Sequence, residues 1–410
     1  MARSSLERSL GPSGADCLLH CQRLAIAGRR GQSRGTVKTR AAVLFKTDLA
    51  PPFGVSRPLR VMEVDLDPPG PGEVLVRMRA AGLCHSDLSV INGTLPWRLP
   101  LVPGHEGAGI VEQLGAGVSD LRVGDHVVAT FVPSCGACEP CISGRPGLCQ
   151  PGTAANVAGE LLGGHRRLQL DGRELHHFLG VSAFAEHAVL ARSSLVRIDP
   201  RLPLDEAAVF GCAVITGTGA VINTAQMPRG ATVAIVGLGG VGLAALLAAH
   251  MLEAKAIIAI DVSDEKLHVA SILGASHTLN ASDPQCADKA RTITNGGAQF
   301  AFEAAGSVKA LELAYRITRR GGTTVTVGLP SADQRVSLPQ LSIVTEERTL
   351  KGSFLGSSVP SRDIPRYIGW YQAGKLPVKR LLAEHIPLDQ INEGFDRLAA
   401  AKSVRQVVML

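Results

Sequence analysis

Two things are scarce in this 410-residue chain: charge and long apolar runs. Only 19% of its residues are charged while 45% are hydrophobic. That balance excludes an intrinsically disordered chain and fits a globular protein with ample core. The net charge of +6 is local: residues 1–40 hold eight Lys or Arg against Glu7 and Asp16, so the rest of the chain balances to zero. A body without excess cations gives no footing for nucleic acid. No run reaches the roughly eighteen apolar residues of a membrane helix. A secretory apolar region, internal repeats and low-complexity tracts are missing too. The length calls for two domains or more, and a reduced, cytoplasmic setting is expected.

Residues 1–36 read as an appendage. They are rich in Arg, Gly and Ser, and their basic residues show no helical period. A disordered extension is expected; a basic, acid-poor leader is the other reading. From residue 37 short alternating strands, expected at 40–45, 59–64, 73–80, 109–114 and 126–130, stand between Gly and Pro turns. This spacing predicts a compact, largely antiparallel, barrel-like domain over 37–213. Over 214–353 the texture changes to alternating strand and helix. Residues 231–237 and 256–261 are apolar runs on either side of a long apolar helix at 240–253, and further strands are expected near 300–303 and 323–328. Such alternation predicts a parallel sheet covered by helices on both faces, so the fold class is α/β. Residues 354–410 carry helices near 364–373 and 391–400 and a strand at 406–410.

Gly237-Leu238-Gly239-Gly240-Val241-Gly242 fits G-x-G-x-x-G between a strand and a helix, the context of a Rossmann dinucleotide-binding turn. There Gly237, Gly239, Gly240, Val241 and Gly242 bring the backbone against a pyrophosphate at a helix N-terminus. Asp261 ends the next strand, nineteen residues after Gly242. Its carboxylate would accept from both ribose hydroxyls and repel a 2′-phosphate, so NAD is favoured over NADP.

The nine cysteines are unevenly spread. Cys135, Cys138, Cys141 and Cys149 are spaced like metal ligands, and four thiolates fill a tetrahedral shell, which makes a structural zinc. Redox cysteines are the alternative. Cys84, His105 and Cys212 are scattered instead, an arrangement that suits a catalytic zinc with an open position.

Taken in order, Gly82-Leu83-Cys84-His85-Ser86-Asp87, Gly104-His105-Glu106, the four-cysteine lobe, Phe210-Gly211-Cys212 and the glycine turn resemble the zinc-dependent medium-chain alcohol dehydrogenases, from about residue 37 onward. The resemblance implies a GroES-like β-barrel catalytic domain beside the Rossmann domain, with residues 354–410 returning to the first. It implies a catalytic zinc on Cys84, His105 and Cys212. Glu106 would stand behind the metal, binding it transiently or only hydrogen-bonding there, and Asp87 would fix the imidazole of His105. Ser86 would take the alcohol proton. Zinc in such a site is a Lewis acid for the substrate oxygen, while hydride moves between the alcohol carbon and nicotinamide. His85, Thr216, Lys266, Leu329 and Arg405 match cofactor-contacting positions; Leu95, Trp97, Phe131, Phe178 and Leu179 match the substrate channel and imply a medium-chain or aryl alcohol. The segment 149–184 matches the long loop of the dimeric branch, which implies a homodimer. One departure stands out: Ser89 occupies a position where many members carry a histidine that releases the proton. Two rival functions stay open. One is a dehydrogenase of S-(hydroxymethyl)thiol adducts, disfavoured by Leu95 and Thr153 where polar or charged residues would be expected. The other is a non-catalytic nucleotide-binding scaffold, which has no need of an open metal site.

Overall fold

The computed structural model describes residues 35–400 and 405–410. The extension expected over 1–36 lies, save its last two residues, outside the described residues. Val37–Leu44 pairs antiparallel with Leu59–Leu66 along its whole length and heads a six-stranded sheet. The second antiparallel sheet is built on Glu73–Gly82, which takes Gly107–Leu114, His187–Ala191 and Gln406–Met409 as antiparallel partners. Their inward faces enclose one core, with Val74, Val76, Met78 and Ala80 alternating along the central strand. Together these sheets are the GroES-like barrel. Val407 therefore pairs with Gly82, 325 positions earlier in the chain.

The third sheet is parallel, in the edge-to-edge order His277–Asn280, Ala256–Asp261, Thr232–Val236, Ala298–Glu303, Thr318–Thr326, Thr349–Gly352. Its central strands are buried on both faces, which is why they read as unbroken apolar runs. The helix Gly240–Met251 buries eight of its residues and is apolar all round, as a helix inside a core must be. This is the Rossmann domain. Strand order reverses between Thr232–Val236 and Ala298–Glu303, the switch point where open α/β sheets bind ligands at their carboxyl ends.

Three local differences from the sequence reading have plain causes. The helix expected near 364–373 runs Pro360–Gln372: proline is at home in a first turn, where its missing N–H has no partner anyway. Strands such as Leu101–Val102 and His176–His177 are too short for an alternating pattern to register. The strand near 323–328 begins earlier, at Thr318, through a register shift against Ala298–Glu303. Among the described residues no single helix is long and apolar enough to cross a membrane.

Candidate metal centres and nucleotide site

Cys84 caps the helix His85–Ile91, His105 follows a left-handed Gly104, and Cys212 precedes the helix Ala213–Gly219. The donor atoms of these three buried residues all lie within 4.8 Å of one another. A side chain at position 104 would drive its Cβ to 2.6 Å from the backbone nitrogen of Phe184, so only glycine lets the histidine loop pack this closely. Asp87, fully buried, accepts from the Gly104 N–H at 3.0 Å and lies 3.2 Å from His105 Nδ1. A carboxylate there holds the ring proton on Nδ1 and leaves Nε2, 3.3 Å from Cys212 Sγ, free for a metal. Burial opposes protonation of His105, but the charges of Asp87 and Cys84 outweigh it and hold its pKa well above the usual range, so a metal binding at Nε2 would displace a proton there. The Cys84 thiol is held well below its ordinary value by the hydrogen bond from Cys212, with His105 helping against burial, and Cys212 is pushed up in turn. One ready thiolate, a second thiol and an oriented imidazole are a donor set that suits zinc.

Glu106 is fully buried behind this trio. It pairs with the guanidinium of Arg405 and accepts from the Ala213 N–H at 3.1 Å. Burial raises its pKa, opposed by Arg405. A Cβ on Gly82 would fall 1.8 Å from Glu106 Oε1, so the carboxylate fills the space a side chain would need. Ser86 Oγ lies 3.9 Å from Cys84 Sγ. The Ser89 carbonyl accepts from the Leu95 N–H at 2.8 Å.

Around the trio stands an aromatic wall. The rings of Phe131 and Phe178 meet His105 edge-on at 5.4 and 5.8 Å, and Trp97 meets Phe178 at 5.0 Å. Leu95 and Leu179 pack, partly buried, against the same core. Phe354, which the sequence reading missed, faces Phe131 at 5.8 Å. It lies 223 positions further on in an unremarkable Ser-Phe-Leu-Gly, and no pattern in the chain marks it.

The second cluster is local. The sulfurs of Cys135, Cys138, Cys141 and Cys149 also lie within 4.8 Å of one another. Backbone N–H groups point at them: Cys138 to Cys135 at 3.3 Å, Cys135 and Gly152 to Cys149 at 3.2 and 3.3 Å. The N–H groups of Ala137 and Cys138 pull Cys135 down to about 6, so this lobe offers a thiolate at neutral pH before any ion arrives.

The glycine turn follows the central parallel strand. Gly237 is left-handed at φ 95°, and a Cβ on Gly242 would fall 1.9 Å from the Gly237 carbonyl. Beside Gly239, at the helix N-terminus, a Cβ would meet nothing within 4 Å, which is room for a ligand. Asp261 accepts from the Leu238 N–H at 2.7 Å and the Ser263 N–H at 3.0 Å, so it braces the turn it faces. Arg405 packs within 3.4 Å of where a Gly240 side chain would begin, joining the turn to Glu106. Desolvation, and then the cations Lys266 and Arg405, lower the pKa of His85, while the charges of Cys84 and Asp261 oppose them. Val241 is half-buried at the start of the helix, and Leu329 is exposed beyond the strand Thr318–Thr326. Thr216 Oγ1 is buried without a partner, an orphan that suits a cofactor's polar edge.

A fold of this kind, with a nucleotide turn on one side and a thiolate–imidazole trio on the other, defines a zinc-binding oxidoreductase. Residues 70–200 match the alcohol dehydrogenase GroES-like domain, and residues 240–373 match the zinc-binding dehydrogenase domain. The chain is 38% identical over 358 residues to alcohol dehydrogenase class-3 of Myxine glutinosa, covering 86% of this chain and 95% of the other. It is 35% identical over 385 residues to S-(hydroxymethyl)glutathione dehydrogenase of Paracoccus denitrificans, covering 91% and 100%. The crystal structure of benzyl alcohol dehydrogenase from Acinetobacter calcoaceticus superposes with a TM-score of 0.85 at 31% identity, covering 91% and 99%. The protein belongs to the zinc-dependent medium-chain alcohol dehydrogenase family. Its chemistry is the oxidoreduction of alcohols with zinc and a nicotinamide nucleotide.

Proposed function

We propose that the protein is an NAD-dependent, two-zinc alcohol dehydrogenase that reversibly oxidises primary or secondary alcohols, medium-chain or aryl, to aldehydes or ketones. The observation that carries this is the convergence of Cys84, His105 and Cys212 beside an aromatic wall. Those three would hold the catalytic zinc, and Cys135, Cys138, Cys141 and Cys149 the structural one. When bound, zinc supplies Lewis acidity to the substrate oxygen and NAD supplies the hydride acceptor.

The chain's own residues do the rest. Asp87 keeps the His105 proton on Nδ1, and Ser86 Oγ receives the proton of the alcohol. Ser89 cannot serve as a base near neutral pH, so position 89 does not take the proton on from Ser86; a bound cofactor's ribose would supply the next hydroxyl. Glu106 balances the charge of Arg405 behind the trio, and Arg405, packed against the glycine turn, would meet the pyrophosphate of a bound nucleotide. Lys266 and His85 would border the same anion, Thr216 and Leu329 would flank the nicotinamide, and Asp261 would take the adenosine ribose. Leu95, Phe131, Phe178 and Leu179 exclude water from the reacting carbon. Their apolar character supports an uncharged alcohol over an anionic thiol adduct.

A homodimer is supported by the outer edge of the parallel sheet. Thr349–Gly352 is paired on one side only; Leu350 on it, and Leu341 and Val344 on the helix Gln340–Thr345 that precedes it, are exposed. A cytoplasmic setting is supported by seven unbridged cysteines among the described residues.

The test is reduction of NAD by purified protein over linear, branched and aryl alcohols and S-(hydroxymethyl)glutathione, with Cys84→Ser as control. Turnover of alcohols that disappears in the variant, with nucleotide binding retained, is expected. Turnover of the thiol adduct alone would replace the alcohol reading. Nucleotide binding without turnover of anything, in protein carrying two zinc ions, would leave a scaffold.

A further inference from the structure

The helix that starts at Cys212 ends in an unusual turn. Ala213–Gly219 is α-helical, but Ala220–Thr224 is a π turn, closed by the Ala225 N–H donating to the Ala220 carbonyl at 2.9 Å. Such insertions recur where a helix must aim side chains at a site. Here two consecutive side chains, Asn223 and Thr224, reach one segment, residues 353–358. Thr224 Oγ1 is 2.7 Å from Ser353 Oγ and 2.9 Å from Ser357 Oγ. Asn223 Nδ2 is 3.0 Å from Ser358 Oγ and 3.4 Å from the Gly356 carbonyl. It also lies 3.2 Å from Tyr367 Oη and 3.3 Å from Asp363 Oδ2, both on fully buried residues.

The segment so held would not keep its shape unaided. Leu355, Gly356 and Ser357 are all left-handed, at φ 52°, 65° and 50°, a conformation that leucine and serine adopt only when their surroundings enforce it. What the segment presents is Phe354, whose ring stands against Phe131, which in turn stands against His105.

We propose that Asn223 and Thr224 are positioning residues that set which alcohols the pocket admits, by holding the 353–358 turn so that Phe354 closes against Phe131. The proposal rests on the dehydrogenase reading above and names a determinant of its specificity. Neither residue touches substrate; both act through one ring. Released, the turn lets Phe354 swing away and the pocket widens, so bulky alcohols gain over slender ones.

The experiment is a double-mutant cycle on Thr224→Val, Phe354→Ala and the pair, with Thr224→Ser retaining the hydroxyl. Steady-state kinetics with 1-butanol and 1-phenylethanol give the discrimination ratio, and amide hydrogen exchange follows residues 353–358. Thr224→Val and Phe354→Ala should each shift the ratio toward 1-phenylethanol by about fivefold, chiefly through KM. The pair should shift it no further than Phe354→Ala alone, because both act through the same ring. Thr224→Ser should keep the original ratio, and exchange in 353–358 should quicken in Thr224→Val. An unchanged ratio in Thr224→Val, or full additivity in the pair, overturns the proposal. A wild-type protein that turns over neither alcohol overturns the medium-chain or aryl alcohol reading instead. The hold on the turn is then decided by exchange alone, and unchanged protection in Thr224→Val refutes it.

Discussion

Glu106 and Arg405 are both buried, 299 positions apart in sequence, and each is the other's counter-charge. Removing one partner leaves a charge with no solvent to receive it. Glu106→Gln should therefore destabilise the fold by about 3–5 kcal/mol, read as a lower urea midpoint at unchanged slope. Asp261, which braces the glycine turn, tests the proposed cofactor choice. On the NAD reading, Asp261→Ser would remove the acceptor for the ribose hydroxyls, a loss of roughly 1.5–3 kcal/mol for a charged hydrogen bond. The KM for NAD should rise about tenfold or more, and NADP should become usable. If NADP were already preferred by the unaltered protein, the NAD assignment would fail. His177 offers a pH signature. It is fully buried, its Nε2 accepts from the Arg167 N–H at 3.1 Å, and burial, with Arg166 and Arg167, drives its pKa down to about 3. An unfolded histidine binds a proton near 6.5. Between those values the unfolded chain holds more protons, so stability falls as pH drops, by up to about 1.4 kcal/mol per unit. His177→Gln should show a shallower loss of melting temperature from pH 6.5 to 5 than the unaltered protein.

Among the elements, the four-cysteine lobe and the glycine turn were the most legible, because each is written within a few residues. C-x2-C-x2-C-x7-C needs no partner from elsewhere, and the turn announces itself between an apolar run and an apolar helix. Cys141→Ser should lower the zinc content from two ions per chain to one and make the segment 135–158 protease-sensitive, while nucleotide binding persists. Loss of both ions would mean that the two centres are not independent. The trio Cys84, His105, Cys212 was legible only through the resemblance its motifs carry together, since spacing alone does not bring three distant residues together. Helices such as Asp264–Ile272, with only Leu267 and Ala270 buried, carry little periodicity, and the sequence reading passed over them. Phe354 and the Glu106–Arg405 pair depend on long-range packing, where pattern gives no purchase.

On the scale of the whole molecule, the two folds were readable from the change of period near residue 214, and their junction was not. The same holds for association: exposed apolar side chains become meaningful only once Leu341, Val344 and Leu350 are seen beside an open sheet edge. Leu341→Glu combined with Val344→Glu should convert a dimer to single chains in sedimentation equilibrium. An unchanged mass would put the contact on another face.

The long return of Gln406–Met409 to Glu73–Gly82 also has a meaning in time. The lobe cysteines lie within fifteen residues of one another, so their ring closes at little entropic cost as soon as that stretch leaves the ribosome. The trio must wait for Cys212, and its supporting carboxylate stays without a partner until Arg405 has been made. On the two-zinc reading proposed above, one metal centre would thus be a founding event of synthesis and the other a finishing one. A nascent chain would carry its structural ion long before it could do chemistry.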